Sequence, residues 1–272
     1  MLDLTLCALQ LGTLPLSDSR IDYYLKLAKD NGAKIVLLGE YVLNTFFTEL
    51  IKMPSSMIKE QSEQKRSALQ TMASKYGIII IAPIVLVRGK DYTKAIARFS
   101  PNSIKYKLAG ALMPYSHWNE NSFFKSTKSV DISSFSVDGF KIASIFGFEA
   151  HFDAFWREIA NKRVDCVLIP SACALDSSVR WANMLSAQAF RQNVYILRAN
   201  RLGKAKFKEG QKEVISEFYG DSMLINPNGQ ISQKLDEKEG MLICKISKSE
   251  LLQARRLWRF GEISRNIESL KD

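Results

Sequence analysis

Two apolar runs separated by a helix-length interval place the strongest constraint on this chain. Lys141-Ile-Ala-Ser-Ile-Phe-Gly-Phe-Glu149 reads as a buried strand entering a sharp turn, and Val164-Asp-Cys-Val-Leu-Ile-Pro-Ser-Ala172 as the next strand. Phe152–Lys162 between them reads as a helix. The same alternation continues on both sides, with no linker, repeat or low-complexity tract. Toward the N-terminus the pattern predicts a strand over Leu2–Leu11 and a helix over Asp18–Asn31 closed by Asn31-Gly32. A buried strand over Ala33–Leu38, a helix over Ser62–Tyr76 ending at Gly77, and a strand over Ile78–Val87 follow. Lys94–Phe99 and Ile104–Tyr106 read as a hairpin around Ser100-Pro-Asn-Ser103. Residues 108–135 read as a long irregular loop of the functional kind.

Beyond the second apolar run, Ser178–Gln192 reads as a helix and Val194–Asn200 as a strand. Ser222–Asn226 and Met241–Ile246 read as a closing strand pair joined through the turn Asn226-Pro-Asn-Gly229, before a basic, aromatic tail from Ser247. Strand–helix alternation with antiparallel pairs near the edges implies a mixed α/β sheet covered by helices. At 272 residues the chain suits one large α/β domain or two small ones.

Composition narrows the function classes. A 46% hydrophobic and 24% charged chain is ordinary for a globular protein. No uncharged apolar run approaches the length of a membrane span, and the N-terminus alternates like a strand with no basic leader, so a cytoplasmic protein is expected. The net charge of +10 invites an anionic partner. Its lysines are scattered, however, with no run of five basic residues and no nucleic-acid motif, which disfavours a nucleic-acid partner. Four cysteines without CxxC spacing and only two histidines, His117 and His151, argue against a structural zinc site. Cys7, Cys166 and Cys244 sit inside apolar runs as small buried hydrophobes, and disulfides are not expected in a reducing compartment.

The residues that carry chemistry lie far apart in sequence. Glu40 closes the apolar run Ile35-Val-Leu-Leu-Gly, Lys107 ends the polar strand Ile104-Lys-Tyr-Lys, and Gly147 stands at the turn after the strand Lys141–Phe146. Glutamate, lysine and then an elbow, in that order, resembles the nitrilase superfamily of carbon–nitrogen hydrolases. Asn119-Glu-Asn-Ser-Phe-Phe124, Phe148-Glu149, Pro170-Ser-Ala172, Gln188-Ala-Phe-Arg-Gln192, Asn200-Arg201, Gly220-Asp-Ser222 and Pro227-Asn-Gly229 fall in register with it, so the resemblance spans about residues 2 to 260. It implies a four-layer αββα sandwich with mixed sheets and a single carbon–nitrogen hydrolase-like domain over residues 1–272.

The resemblance also implies a division of labour. Glu40 matches the general base, Lys107 the lysine that stabilises the oxyanion, and Glu120 a second glutamate that positions lysine and substrate. Lys105 is the register rival of Lys107, two residues away on the same strand face. Gly147 falls where the family carries its nucleophilic cysteine, so the attacking sulfur is absent. Gln188 and Arg191 replace an arginine and a glutamate of the family pattern. Phe148, Cys173 and His117 are expected to line the substrate pocket, with His117 at its mouth. No metal or other cofactor is implied.

Glycine at an elbow has another explanation, namely a turn that needs φ > 0 with the active cysteine elsewhere. Cys173, after Pro170-Ser-Ala172, is the one candidate for a relocated nucleophile. The leading expectation is a hydrolase-related protein with impaired catalysis that keeps a pocket for a small amide, nitrile or carboxylate. The alternatives are an active amidase using Cys173 or a Glu40-held water, and a basic scaffold for an acidic macromolecule. A homodimer is implied by the resemblance, and no membrane association is expected.

Overall fold

The computed structural model describes residues 2–174, 176–209 and 212–268. Its strands are, in chain order, β1 (Asp3–Gln10), β2 (Ile35–Leu38), β3 (Ile79–Arg88), β4 (Asp91–Ser100) and β5 (Ser103–Leu108). The two-residue β6 (Pro114–Tyr115) and β7 (Trp118–Asn119) precede β8 (Ser134–Val137), β9 (Phe140–Ser144), β10 (Cys166–Ser171) and β11 (Tyr195–Asn200). A hairpin of β12 (Leu202–Glu209) and β13 (Lys212–Tyr219) is followed by β14 (Met223–Ile225), β15 (Ile231–Lys234) and β16 (Gly240–Ser247). The helices are α1 (Ser19–Asp30), α2 (Phe47–Leu50), α3 (Ser55–Tyr76), α4 (Asp153–Asn161), α5 (Ser178–Gln192), α6 (Lys248–Trp258) and α7 (Phe260–Glu268).

Two six-stranded mixed sheets carry the fold, in the orders β16-β1-β2-β3-β4-β5 and β15-β14-β11-β10-β9-β8. Each has a parallel centre, β1–β2–β3 in one and β9–β10–β11 in the other, flanked by antiparallel strands. Side-chain alternation along these strands explains the layering. Leu6, Ala8, Ile35 and Leu37 of one sheet meet Ile142, Cys166, Leu168 and Leu197 of the other in a common core. The intervening Cys7, Leu9, Val36 and Leu38 face outward, onto Ile21, Leu25 and Ala28 of α1 and Leu69, Met72 and Ala73 of α3. Val167, Ile169 and Ile196 likewise face Phe155, Trp156 and Ile159 of α4 and Leu185 and Ala189 of α5. The result is the αββα sandwich, with both faces of each sheet covered.

Two expectations need correction. Met241–Ile246 does not pair with Ser222–Asn226. The Asn226–Gly229 turn instead hairpins β14 onto β15, and β16 crosses to the other sheet to pair antiparallel with β1. Both candidate partners read as short apolar runs, so periodicity could not choose between them. Helix α3 begins at Ser55, immediately after Pro54, and its polar first turns hid that start. It ends as expected at Gly77, whose left-handed φ of 62° suits glycine. The basic tail contains α6, anchored where Lys248 Nζ (2.6 Å) and Arg255 (2.7 Å) both pair with the buried Asp165 carboxylate.

Candidate active site

Glu40 is delivered to the space between the sheets by a close backbone contact. After β2, the Glu40 N–H donates to Ser171 O at 3.1 Å, tying this loop to the end of β10 in the opposite sheet. Position 39 must be small for that docking: a Cβ there would lie 3.0 Å from Arg201 N and 3.2 Å from Ser171 O, both main-chain atoms. Tyr41 then adopts a left-handed φ of 56°, an uncommon conformation for a non-glycine residue. The turn aims its hydroxyl at Glu120 Oε1.

A lysine does bridge the two glutamates, but it is Lys94 of β4. Its Nζ pairs with Glu40 Oε2 and lies 2.6 Å from Glu120 Oε1, with all three side chains buried. Glu120 belongs to the short 3-10 turn Glu120–Ser122, held by its N–H to Met113 O (2.8 Å) and by Met113 N–H to Oε2 (3.3 Å). Lys107, expected in this place, instead pairs with Glu149. Glu149 also accepts from Gly110 N–H (2.8 Å) and Phe146 N–H (2.9 Å), so the Lys107–Glu149 pair braces the elbow from behind. Strand register explains the exchange. Lys107 pairs with Ile96 across β4–β5, and Ala109 N–H donates to Lys94 O just beyond the ladder. Lys94 and Lys107 thus project from adjacent strands, displaced by two residues. Lys105, the register rival, is exposed opposite Arg98.

Burial is the dominant electrostatic influence here. It raises the Glu40 carboxyl, and Glu120 adds to the effect; Lys94 opposes it, leaving the group pushed up to about 7. Burial works against the Lys94 ammonium, yet Glu120 and Glu40 outweigh it and hold its pKa above the ordinary value. Lys107 is lowered by burial, with Glu149 opposing. A carboxylate poised near neutrality beside a fixed ammonium is equipped to accept and return a proton.

Gly147 faces this cluster. Its N–H lies 2.9 Å from Pro170 O and 3.2 Å from Glu40 Oε1. Its φ of −53° and ψ of −45° are ordinary right-handed values, open to any L-residue, so the backbone does not require glycine. The constraint is space: a Cβ at 147 would lie 2.9 Å from Ser171 Cβ and 3.3 Å from Glu40 Oε1. The position therefore abuts Glu40 Oε1, with Ser171 crowding it more closely.

These groups open onto a cavity of about 460 Å³ whose wall includes Glu40, Gly147, Phe148, Ser171, Cys173 and Trp181. His117 lies on its exposed rim, stacked on Tyr115 with ring centroids 5.6 Å apart. Cys173 is buried in the wall, its N–H held by Asn200 Oδ1 at 2.8 Å. Burial pushes its thiol up, although the nearby Arg198 guanidinium opposes the shift. Arg191 is placed elsewhere, on the surface 3.6 Å from Asp153, and neither it nor Gln188 lines the cavity. The irregular segment 108–135 supplies Met113, Tyr115, His117 and Trp118 to the cavity, and Glu120 to the charged cluster. Among the described residues no group of three His, Cys, Asp or Glu side chains could hold a metal ion.

Residues 19–256 match the family model described as Carbon-nitrogen hydrolase. A 2-oxoglutaramate amidase of Bacillus subtilis (strain 168) is 24% identical over 199 residues, covering 72% of each chain. A carbon-nitrogen hydrolase from Helicobacter pylori G27 superposes with a TM-score of 0.83 at 17% identity, covering 95% of this chain and 94% of the other. An amidase from Nesterenkonia sp. AN1, at 22% identity and a TM-score of 0.76, covers 97% of this chain and 96% of its own. Structures of that amidase show the acetamide moiety of fluoroacetamide added covalently at its active-site cysteine, and a mutant in complex with butyramide.

Proposed function

The chain belongs to the carbon-nitrogen hydrolase family, and from that premise we propose that it is an amidase-like member that binds a small amide or carboxylic acid but has lost covalent catalysis. The observation that carries this reading is Gly147: an elbow that bears no side chain and whose Cβ position lies 3.3 Å from Glu40 Oε1. Amide hydrolysis through a thioester needs a nucleophile, a base and a stabiliser of the developing oxyanion. Here Glu40 serves as the base and Lys94 as the ammonium that fixes it against Glu120. Phe148, Cys173 and His117 line the space for the ligand. The covalent chemistry of the Nesterenkonia amidase supports treating position 147 as the one where a cysteine would act. The reading takes residues 1–272 as one domain and its surface as homodimeric, with the exposed Leu257, Trp258 and Ile263 of the C-terminal helices as candidate contacts.

One observation favours a residual activity. With its carboxyl near neutrality, Glu40 can deprotonate a water placed beside Gly147, and that water can attack a bound amide carbonyl directly. Such a route keeps electrostatics and positioning but lacks the thiolate, so its rate falls by orders of magnitude. Burial disfavours Cys173 as a substitute, because its thiol stays protonated at neutral pH. Ammonia release from a panel of small amides and nitriles tests the reading. Turnover at ordinary enzyme rates would overturn it; binding with turnover near the limit of detection supports it.

A further inference from the structure

Five aromatic side chains of the cavity wall form one unbroken chain of ring contacts. His117 stacks on Tyr115 with ring centroids 5.6 Å apart, and Tyr115 meets Phe148 edge to face at 6.0 Å. Phe148 lies 6.0 Å from His151, which meets Trp181 edge to face at 4.9 Å. All of these rings border the cavity that holds Glu40 and Gly147. Phe148, the middle ring, is buried and directly follows Gly147, whereas His117, Tyr115 and His151 are exposed. The wall therefore extends from beside the charged cluster to the open rim.

The rings are fixed by the structure behind them. His151 Nδ1 lies 3.1 Å from Phe148 O. Arg198 Cζ stands 4.9 Å from the Trp181 ring centroid, and that guanidinium is itself held by its pair with Asp221 and by Ser171 Oγ at 3.0 Å. Tyr115 belongs to β6, where it pairs with Trp118 of β7. A wall ordered before binding gives up little conformational freedom when a ligand covers it. Interplanar angles of 85° for Tyr115–Phe148 and 78° for His151–Trp181 make ring edges alternate with ring faces along the wall. A further ring extends that pattern through its own positive edge and negative face, whereas a saturated group of equal size gains only burial.

A cation could also rest on aromatic faces. Arg180, exposed on the same cavity wall, repels one, and the Glu40 carboxylate is already engaged by Lys94. The cavity of about 460 Å³ has room for a six-membered ring beside the amide. We propose that the ligand is a neutral amide whose acyl group carries an aromatic ring. Its amide lies against Glu40 and Gly147, and its ring packs on the wall of Tyr115, Phe148 and Trp181. Trp181 is then the specificity-determining residue. This inference rests on the ligand-pocket reading proposed above.

Phenylacetamide and cyclohexylacetamide test it, because they share one skeleton and differ only in the saturation of the ring. The cyclohexyl group is the more apolar, so burial alone would favour it. Affinities are measured calorimetrically on the full chain, with butyramide as the aliphatic reference and 4-aminobutyramide as the cationic one. The proteins are wild type, Trp181→Leu and Tyr115→Leu, with thermal melting to confirm that each variant is folded. Tyr115 is exposed, so its variant keeps the test open if loss of the Trp181–Arg198 contact unfolds the other. Wild type is expected to bind phenylacetamide about three- to tenfold more tightly than cyclohexylacetamide, the scale of ring–ring contacts. In the folded variants that ratio should fall toward unity. Equal or tighter binding of cyclohexylacetamide by wild type, a ratio unchanged in the variants, or tightest binding of 4-aminobutyramide would overturn the inference and leave the pocket reading standing. Failure of all four amides to bind would remove the pocket reading and this inference together.

Discussion

Lys94 Nζ stands 2.6 Å from Glu120 Oε1 and simultaneously pairs with Glu40, so one buried ammonium holds two buried carboxylates. Removing it leaves those carboxylates to repel one another in a region shielded from water. Lys94→Met is therefore expected to destabilise the protein by about 3–5 kcal/mol, the cost of stranding a buried charge. It should also abolish butyramide binding in protein that remains folded. Denaturant unfolding measures the first effect and calorimetry the second. Wild-type stability and affinity in Lys94→Met would show that this cluster is not the functional centre.

The Glu40 carboxyl should give the protein a characteristic pH dependence. Its pKa rises from 4.5 when exposed to about 7 when folded, so between those values the folded state binds the additional proton. Stability from this group is therefore greatest below about 4.5 and declines as pH rises toward 7, by up to roughly 3 kcal/mol. Glu40→Gln retains the Lys94–Glu120 pair and removes the titration. The difference in melting temperature between variant and wild type should shift in favour of the variant as pH rises from about 5 to 7.5. A difference that does not vary with pH would show that Glu40 is ionised throughout.

At position 147 the backbone already has a conformation open to any residue, and a side chain would be obstructed by Ser171 and, less closely, by Glu40 Oε1. Gly147→Cys should fold, losing about 1–3 kcal/mol to crowding against Ser171 Cβ. Its sulfur would then stand beside Glu40, and a trace of ammonia release with a detectable thioester is expected. A folded variant that forms no thioester with any amide in the panel would show that a sulfur at position 147 is not sufficient for covalent chemistry in this cavity.

The α/β class was legible in the alternation of strands and helices, whereas the four layers were implied by the family resemblance; in the structure the strands divide their side chains between the two interfaces. Leu4, Leu6 and Ala8 of β1 face the common core while Cys7 and Leu9 face the helices. Glu40 and Gly147 were legible because each follows an apolar run at the end of a parallel strand, where sites of this architecture gather. Lys94 was not. Its strand has Lys94 and Ile96 on one face and Ala95 and Ala97 on the other, and alternation alone gives no reason to bury the lysine. Its role depends on contacts with Glu40 and Glu120, 54 residues before it and 26 after it, which no local pattern encodes. The exchange of β16 into the first sheet escaped detection for the same reason: its partner, β1, lies at the far end of the chain.

The proposal that covalent catalysis is lost is tested most directly by intact-protein mass spectrometry after incubation with a reactive small amide, followed by peptide mapping. The account predicts no stoichiometric acyl adduct on the wild-type chain, because position 147 offers no sulfur and burial keeps the Cys173 thiol protonated. A single acyl group mapped to Cys173 would contradict it and make this protein a hydrolase with a relocated nucleophile.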